Sequence, residues 1–263
     1  MKKQKFKLPW VPISALAIIL LAFSLLIGYI WKVLTTSDFF AVKQVVVRDS
    51  GESLEYLKGR NIFILDLNKE SEKALSNCPD CRKVRFLRIL PNCVIVDFLK
   101  RKPVALAKFY KNYAIDQQGV FFNPTGSAEE AGLPLIYGLE TKIFAPKAGI
   151  RYKRPEIDLI LNVIQEFNAN RALKPFTLKR IDVSSLQSAG LFVMLPKQAV
   201  DYTRPMPRGE WFGFEVRIGE GSIKQKLMIL GGLLMQADRE WADIKYIDLR
   251  FKEPVIKLNN NAK

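Results

Sequence analysis

Histidine is absent from these 263 residues. Without it the chain lacks the side chain that titrates nearest neutral pH, which excludes Ser-His-Asp and Cys-His arrangements and every His-containing metal site. Cysteine is scarce as well: three are too few for a disulfide framework and the wrong number for complete pairing. No serine has a lysine three residues on, the spacing by which a penicillin-binding protein activates its nucleophile. Glu129 and Glu210 are available to a lytic glycosidase, but nothing around them marks them above solvated surface acids. The reading is a non-enzymatic chain with no cofactor and no metal.

Acids are in deficit, with 26 Asp and Glu against 41 Lys and Arg, a formal net charge of +15. Lys2, Lys3, Lys5, Lys7 and Lys32 lie at the ends of one apolar stretch, and the rest of the chain is still basic. Such a balance suits nucleic acid, or anionic lipid and wall polymer outside the cytoplasm. The apolar stretch decides between them.

From Leu8 to Trp31 no residue is charged. A helix of about 20 residues rises roughly 30 Å, the thickness of a bilayer's hydrocarbon core. A lone span must satisfy its backbone internally, so it must be helical. Trp10, Tyr29 and Trp31 stand where aromatic rings favour the interface. Four lysines before the span outweigh Lys32 after it, which predicts a cytoplasmic N-terminus (1–10), a transmembrane helix (11–33) and a body carried across the membrane. A cleaved signal peptide would have a shorter apolar region and a small-x-small site, and Gly28-Tyr29-Ile30-Trp31-Lys32 offers none. The next most apolar stretch, Leu227 to Met235, is too short to span. Nucleic acid is therefore not an expected partner.

Beyond the span the pattern is α+β. Phe39 to Arg48 reads as a strand, Ser53 to Lys58 as a short helix, and a second helix follows with Asn68 as its cap and Leu67, Ala74 and Leu75 as its apolar face. Strands at Arg82–Ile89 and Cys93–Arg101 meet at Leu90-Pro91-Asn92, where proline fixes φ and asparagine tolerates the left-handed region. This order, β-α-α-β-β, predicts a small three-stranded sheet with helices on one face. Further on, Phe109 to Phe122 reads as a hairpin turning at Gln117-Gln118-Gly119, and Leu133 to Gly138 as a short strand. Pro155 opens a helix with Ile157, Ile160, Leu161, Ile164 and Phe167 on one face. Strands follow at Lys179–Val183, Gly190–Leu195 and Gly213–Ile218. Ser222-Ile-Lys-Gln225 is a capping box for a helix with Ile223, Leu227, Leu230 and Leu234 in a stripe. A last strand runs from about Ile244 to Phe251 and extends to Leu258, with Ile247, Leu249 and Phe251 alternating against Tyr246, Asp248 and Arg250.

Several of these residues carry a family resemblance. Phe39 and Val42, Gly59-x-Asn61-Ile62-Phe63, Val84, Arg88-x-x-Pro91-Asn92 and Arg101-Lys102-Pro103-Val104-Ala105 resemble the POTRA domain of the FtsQ/DivIB cell-division proteins. Lys100 departs from the pattern, in which an acid often precedes the arginine. Asp116-x-x-Gly119, Leu133-Pro134 to Gly138 and Tyr246 to Phe251 are similar to that family's C-terminal half. The resemblance implies a POTRA domain over 39–103, a β-rich domain of mostly antiparallel strands with two helices over 104–258, and a disordered tail over 259–263. It implies a divisome scaffold in the cell membrane at the septum, linking early and late division proteins and helping to control septal peptidoglycan synthesis. Its implied partners are FtsB- and FtsL-like (DivIC-like) coiled-coil proteins and other divisome membrane proteins. POTRA domains also serve envelope protein assembly and secretion, which leaves an accessory of that kind as the alternative.

The expected partner surface is the last strand: Tyr246, Arg250, Phe251, Lys252, Val255, Ile256 and Lys257. An exposed edge offers main-chain groups to an added strand. Against this, Lys252, Pro254 and Lys257 are residues that discourage edge pairing, and Arg250 has Asp248 within reach as a simple ion-pair partner. Arg204 to Trp211 is a weaker candidate for touching lipid, wall or partner. Cys78-Pro79-Asp80-Cys81 stands after a helix and before a strand, where a structural disulfide or inert thiols are expected over redox or zinc chemistry.

Overall fold

The computed structural model describes residues 10–49, 53–127, 130–195, 213–219, 221–236, 241 and 244–259. The lysines before the span, Glu129, Glu210, the Arg204–Trp211 stretch and residues 260–263 of the tail lie outside them. The described chain is α+β and divides into two compact units, Met1–Lys100 and Arg101–Lys263.

The first unit opens with α1 (Trp10–Thr36), longer than the expected 11–33. Its stretch Ala15–Thr36 is apolar and not buried in protein, so the helix is long and apolar enough to cross a membrane. At its end the Asn61 side-chain amide donates to the Leu34 carbonyl at 2.9 Å, satisfying one of the acceptors that a helix C-terminus leaves open. Ser37 caps a single 3₁₀ turn, Asp38–Phe40, so the strand expected from Phe39 begins only at β1 (Gln44–Arg48).

Two local expectations are corrected here. The helix read over Ser53–Lys58 is one 3₁₀ turn, Glu55–Leu57; its N-cap Leu54 supplies no side-chain bond, and so short a segment does not offset the cost of a helical nucleus. The β-α-α-β-β order thus holds one α-helix, α2 (Leu67–Asn77). Its cap is Asp66, whose carboxylate accepts from the Asn68 and Lys69 N–H groups, rather than Asn68. β2 (Cys81–Ile89) and β3 (Cys93–Lys100) complete a sheet of order β1-β3-β2. β3 lies between a parallel and an antiparallel neighbour and buries Val94, Val96 and Phe98 on its inner face. Arg88 reaches two carbonyls, Ile62 O at 2.8 Å and Leu65 O at 2.6 Å, and so holds the Asn61–Leu65 turn against the sheet. Cys78 and Cys81 form a disulfide at the end of α2, and Cys93 is free.

The second unit is a nine-stranded sheet built from β4 (Pro103–Lys108), β5 (Asn112–Asp116), β6 (Phe121–Phe122), β7 (Leu135–Tyr137), β8 (Thr177–Asp182), β9 (Gly190–Met194), β10 (Gly213–Arg217), β11 (Ile244–Asp248) and β12 (Val255–Leu258). In space the order is β12-β11-β10-β9-β8-β7-β4-β5-β6. Five of its pairings are antiparallel; β4 with β7, β7 with β8 and β10 with β11 are parallel. The β5–β6 hairpin turns where Asp116 accepts from the N–H groups of Gln118 and Val120, and Gly119 takes a φ of +75°. Arg101 closes on the same carboxylate at 2.6 Å.

Helices α3 (Pro155–Ala169) and α4 (Ile223–Gln236) share one core with the sheet. The α4 stripe Ile223, Leu227, Leu230 and Leu234 is wholly buried, and Ser222 Oγ accepts from Gln225 N–H. In α3, Val163 is buried and Leu161 only partly so, a one-position shift of the expected face. The Asn170 side chain donates to Leu227 O at 2.9 Å, and Gly231 lies so near Ala172 that a Cβ there would sit 2.9 Å from it. The two helices are thereby clamped together.

Candidate functional site

Two cross-strand rows define the sheet's two faces, because residues opposite one another in register share a face. The core row runs Ala107, Ile136, Ile181, Leu191, Val216, Ile247 and ends at Ile256 on β12. Every member is essentially inaccessible except the last: Ile256 is 42% exposed. The apolar layer therefore continues onto the edge strand and emerges uncovered.

The two ends of the sheet differ. Beside β6, Phe121 N–H donates to Ile150 O, Gly149 N–H donates to Phe121 O, and Val120 bridges Arg151. That edge is occupied by the chain itself. β12 has a neighbour on one side only among the described residues, and all four of its side chains are exposed. Val255, Ile256 and Leu258 are apolar and Lys257 is the sole charge. An apolar edge strand with one lysine is poorly guarded against pairing.

The expected last strand is not continuous. β11 ends at Asp248, and the chain reverses over Leu249–Pro254 before β12 returns antiparallel, pairing Tyr246 with Lys257, Ile247 with Ile256 and Asp248 with Val255. The cause is Asp248, which is 4% exposed and accepts from Arg250 N–H at 3.0 Å and from Arg250 Nη2 at 2.7 Å. Its carboxyl is held below the usual carboxylate range, first by the Arg250 side-chain hydrogen bond, against the opposing effect of burial. The Arg250 guanidinium is raised by the same bond.

Of the expected partner residues, then, Val255, Ile256 and Lys257 lie on the open edge. Arg250 is committed to Asp248 and reaches Ser188 Oγ at 3.4 Å. Phe251, expected in one continuous strand with Ile247 and Leu249, stands 62% exposed in the reversal, its ring 5.8 Å from the Arg250 guanidinium. Lys252 is exposed in the same turn. Tyr246 faces away from the helices, its ring under Arg217 at 4.4 Å and near Lys257 at 5.9 Å.

Tyr246 belongs to the second row, which sequence reading missed. On the face opposite the helices the register carries Leu106, Leu135, Arg180, Phe192, Glu215, Tyr246 and Lys257 across seven strands. A groove of about 850 Å³ lies along it. The signal was the alternation of Phe192 with Leu191 and Val193, and of Glu215 with Phe214 and Val216, but strand order had to be known to align them. Glu130 lines one end of this groove. Burial alone would raise its carboxyl, yet the Thr125 hydroxyl and the N–H groups of Thr125, Gly126 and Ser127 hold it below the usual range.

Comparison with known proteins follows the second unit. The family described as cell division protein FtsQ/DivIB, C-terminal, matches residues 105–250, stopping just short of β12. Proteins named cell division protein FtsQ are similar over longer stretches. The one from Myxococcus fulvus is 25% identical over 173 residues, 66% of this chain and 54% of its own length. The one from Geotalea daltonii is 23% identical over 243 residues, covering 87% and 80%, and that from Anaeromyxobacter sp. is 24% identical over 230 residues, covering 84% and 71%. The chain thus spans about half the length of the Myxococcus relative.

Proposed function

Because this chain belongs to the FtsQ/DivIB family of cell division proteins, we propose that it is a bitopic scaffold of the divisome that works by docking partners and performs no catalysis. α1 holds it in the cell membrane with the N-terminus cytoplasmic and with the rest of the first unit and the whole second unit outside, at the division septum. The first unit acts as a POTRA domain that receives other membrane proteins of the divisome. The second receives FtsB- and FtsL-like coiled-coil proteins, so that early and late division proteins are joined and septal peptidoglycan synthesis is controlled.

One observation carries this reading: one sheet edge is closed by the chain's own 149–151 segment, while β12, open among the described residues, is apolar and fed by the core row through Ile256. A strand added there gains main-chain bonds and covers Val255, Ile256 and Leu258 at once. The test uses the full chain in detergent. Successive N–H groups of a strand point to opposite sides. One of the two variants Ile256→Pro and Lys257→Pro therefore removes an outward donor, while the other breaks a bond to β11. The expected result is loss of co-purifying coiled-coil division proteins in the variant whose circular dichroism is unchanged. Full recovery by both, with the fold intact, would refute the edge as the docking site.

A further inference from the structure

We propose that the open face of the second unit is a second docking surface, whose occupant is an acidic, amphipathic segment of a partner polypeptide. It meets the β12 edge at Lys257 and extends away from it across the sheet to β4. Seven strands at about 4.8 Å spacing make a trough roughly 29 Å long, the length of a helix of about 19 residues.

The face is graded. At the β4 and β7 end it is aliphatic, with Leu106, Leu133 and Leu135. Towards β12 it is basic: among the described residues Lys179, Arg180, Arg217, Lys245 and Lys257 stand against two carboxylates, Glu130 and Glu215. Glu130 is turned inward onto Thr125 and Gly126, and Glu215 is paired with Arg217 at 3.3 Å. An acidic occupant meets little repulsion and several cations.

The rings argue for the same chemistry. Tyr137, Phe192 and Tyr246 line the groove, and aromatic floors often bind sugars by stacking. Here each ring already has a cation close to it: Lys108 at 4.9 Å from Tyr137, Arg180 at 5.5 Å from Phe192, and Arg217 at 4.4 Å from Tyr246. Cation–π contact restrains these side chains and leaves charge rather than a bare ring facing the trough. A guanidinium held over a ring in this way is prepared for a carboxylate. A neutral glycan lacks the charge, and a phosphate polymer lacks the apolar side chains that the leucine end would cover. A polypeptide supplies both.

The probe is a fluorescein-labelled synthetic peptide of 20 residues, with leucine at every third or fourth position and glutamate elsewhere. It is titrated into the full chain in nanodiscs of zwitterionic lipid and followed by anisotropy. Binding is expected to weaken with added salt and to fall roughly tenfold in Arg180→Glu, which reverses one groove charge. Glu215→Gln, which removes an acid from the floor, is expected to tighten it, so a misfolded Arg180→Glu leaves the idea open to test. Arg180 is on β8, four strands inside the edge. Ile256→Pro, whose side chain belongs to the opposite face, should therefore leave peptide affinity unchanged when its fold is intact, and Arg180→Glu should leave coiled-coil co-purification unchanged. Equal affinity in wild type, Arg180→Glu and Glu215→Gln overturns the proposal. So does preference for polyphosphate or soluble glycan strands over the peptide, or equal binding of a peptide with lysine in place of glutamate.

Discussion

Two glycines with left-handed backbones give a controlled measurement of what the β7 terminus contributes. Gly138 has a φ of +88°, and a Cβ built on it would overlap the Ser184 backbone, 2.6 Å from its Cα, and meet Ser184 Oγ at 2.5 Å. Gly59 has a φ of +81°, and a Cβ there meets nothing within 4 Å. Alanine at either position forces a left-handed conformation costing about 1–2 kcal/mol, offset by roughly 0.4–1 kcal/mol from a stiffer unfolded chain. Gly59→Ala should therefore destabilise by no more than about 1.5 kcal/mol. Gly138→Ala adds the overlap with backbone that cannot swing aside, about 1–3 kcal/mol more. In total about 1–4.5 kcal/mol, this should lower the unfolding midpoint of the second unit by roughly 2–18 °C, at about 2–4 °C per kcal/mol for a domain of this size. Thermal melts of the full chain in detergent, followed by far-ultraviolet circular dichroism, measure both. Equal costs for the two variants, or a Gly138→Ala chain as stable as wild type, would refute the reasoning. The stake is functional, because β7 supplies Leu135 and Tyr137 to the open face.

Two further outcomes follow from the electrostatics and the cysteines. The Asp248 carboxyl is depressed by Arg250, so its contribution is complete above the unfolded carboxylate range near pH 4 and is lost as pH falls through the lower folded value. Asp248→Asn should melt earlier than wild type at pH 7, with the gap closing in acid; a gap that persists unchanged at pH 3 would contradict this. Alkylation in denaturant without reductant should label Cys93 alone, and reductant should bring labelling to three cysteines, whereas three labels without reductant would rule out the Cys78–Cys81 bond.

Helices were the legible part of this chain. Pro155 and the Ser222 box mark starts in local chemistry, and the stripes of α3 and α4 repeat at helical spacing within one segment. Asp66 and Asn68 show the limit of that logic, since either residue type can cap and only the backbone decides which carboxylate or amide faces the free N–H groups. The last strand failed for a different reason. Alternation through Ile247, Leu249 and Phe251 continues on paper, but the Asp248 carboxylate captures Arg250 and turns the chain before the strand reaches Phe251. The position of β7, between β4 and β8, was beyond reach because parallel pairing joins segments far apart in sequence. Hence the edge residues Val255 to Lys257 could be named from the sequence, while the row from Leu106 to Lys257 could not.

The closure of β6 by residues 149–151 has a bearing on self-assembly. Head-to-tail polymerisation requires two complementary open ends on each copy, and this sheet offers one among its described residues. Joined through the described edges of this sheet, two copies meet about a two-fold axis at β12, which ends growth at a pair. The same seam that could join two copies is then spent, so pairing of like with like and capture of a different chain become mutually exclusive states of a single strand.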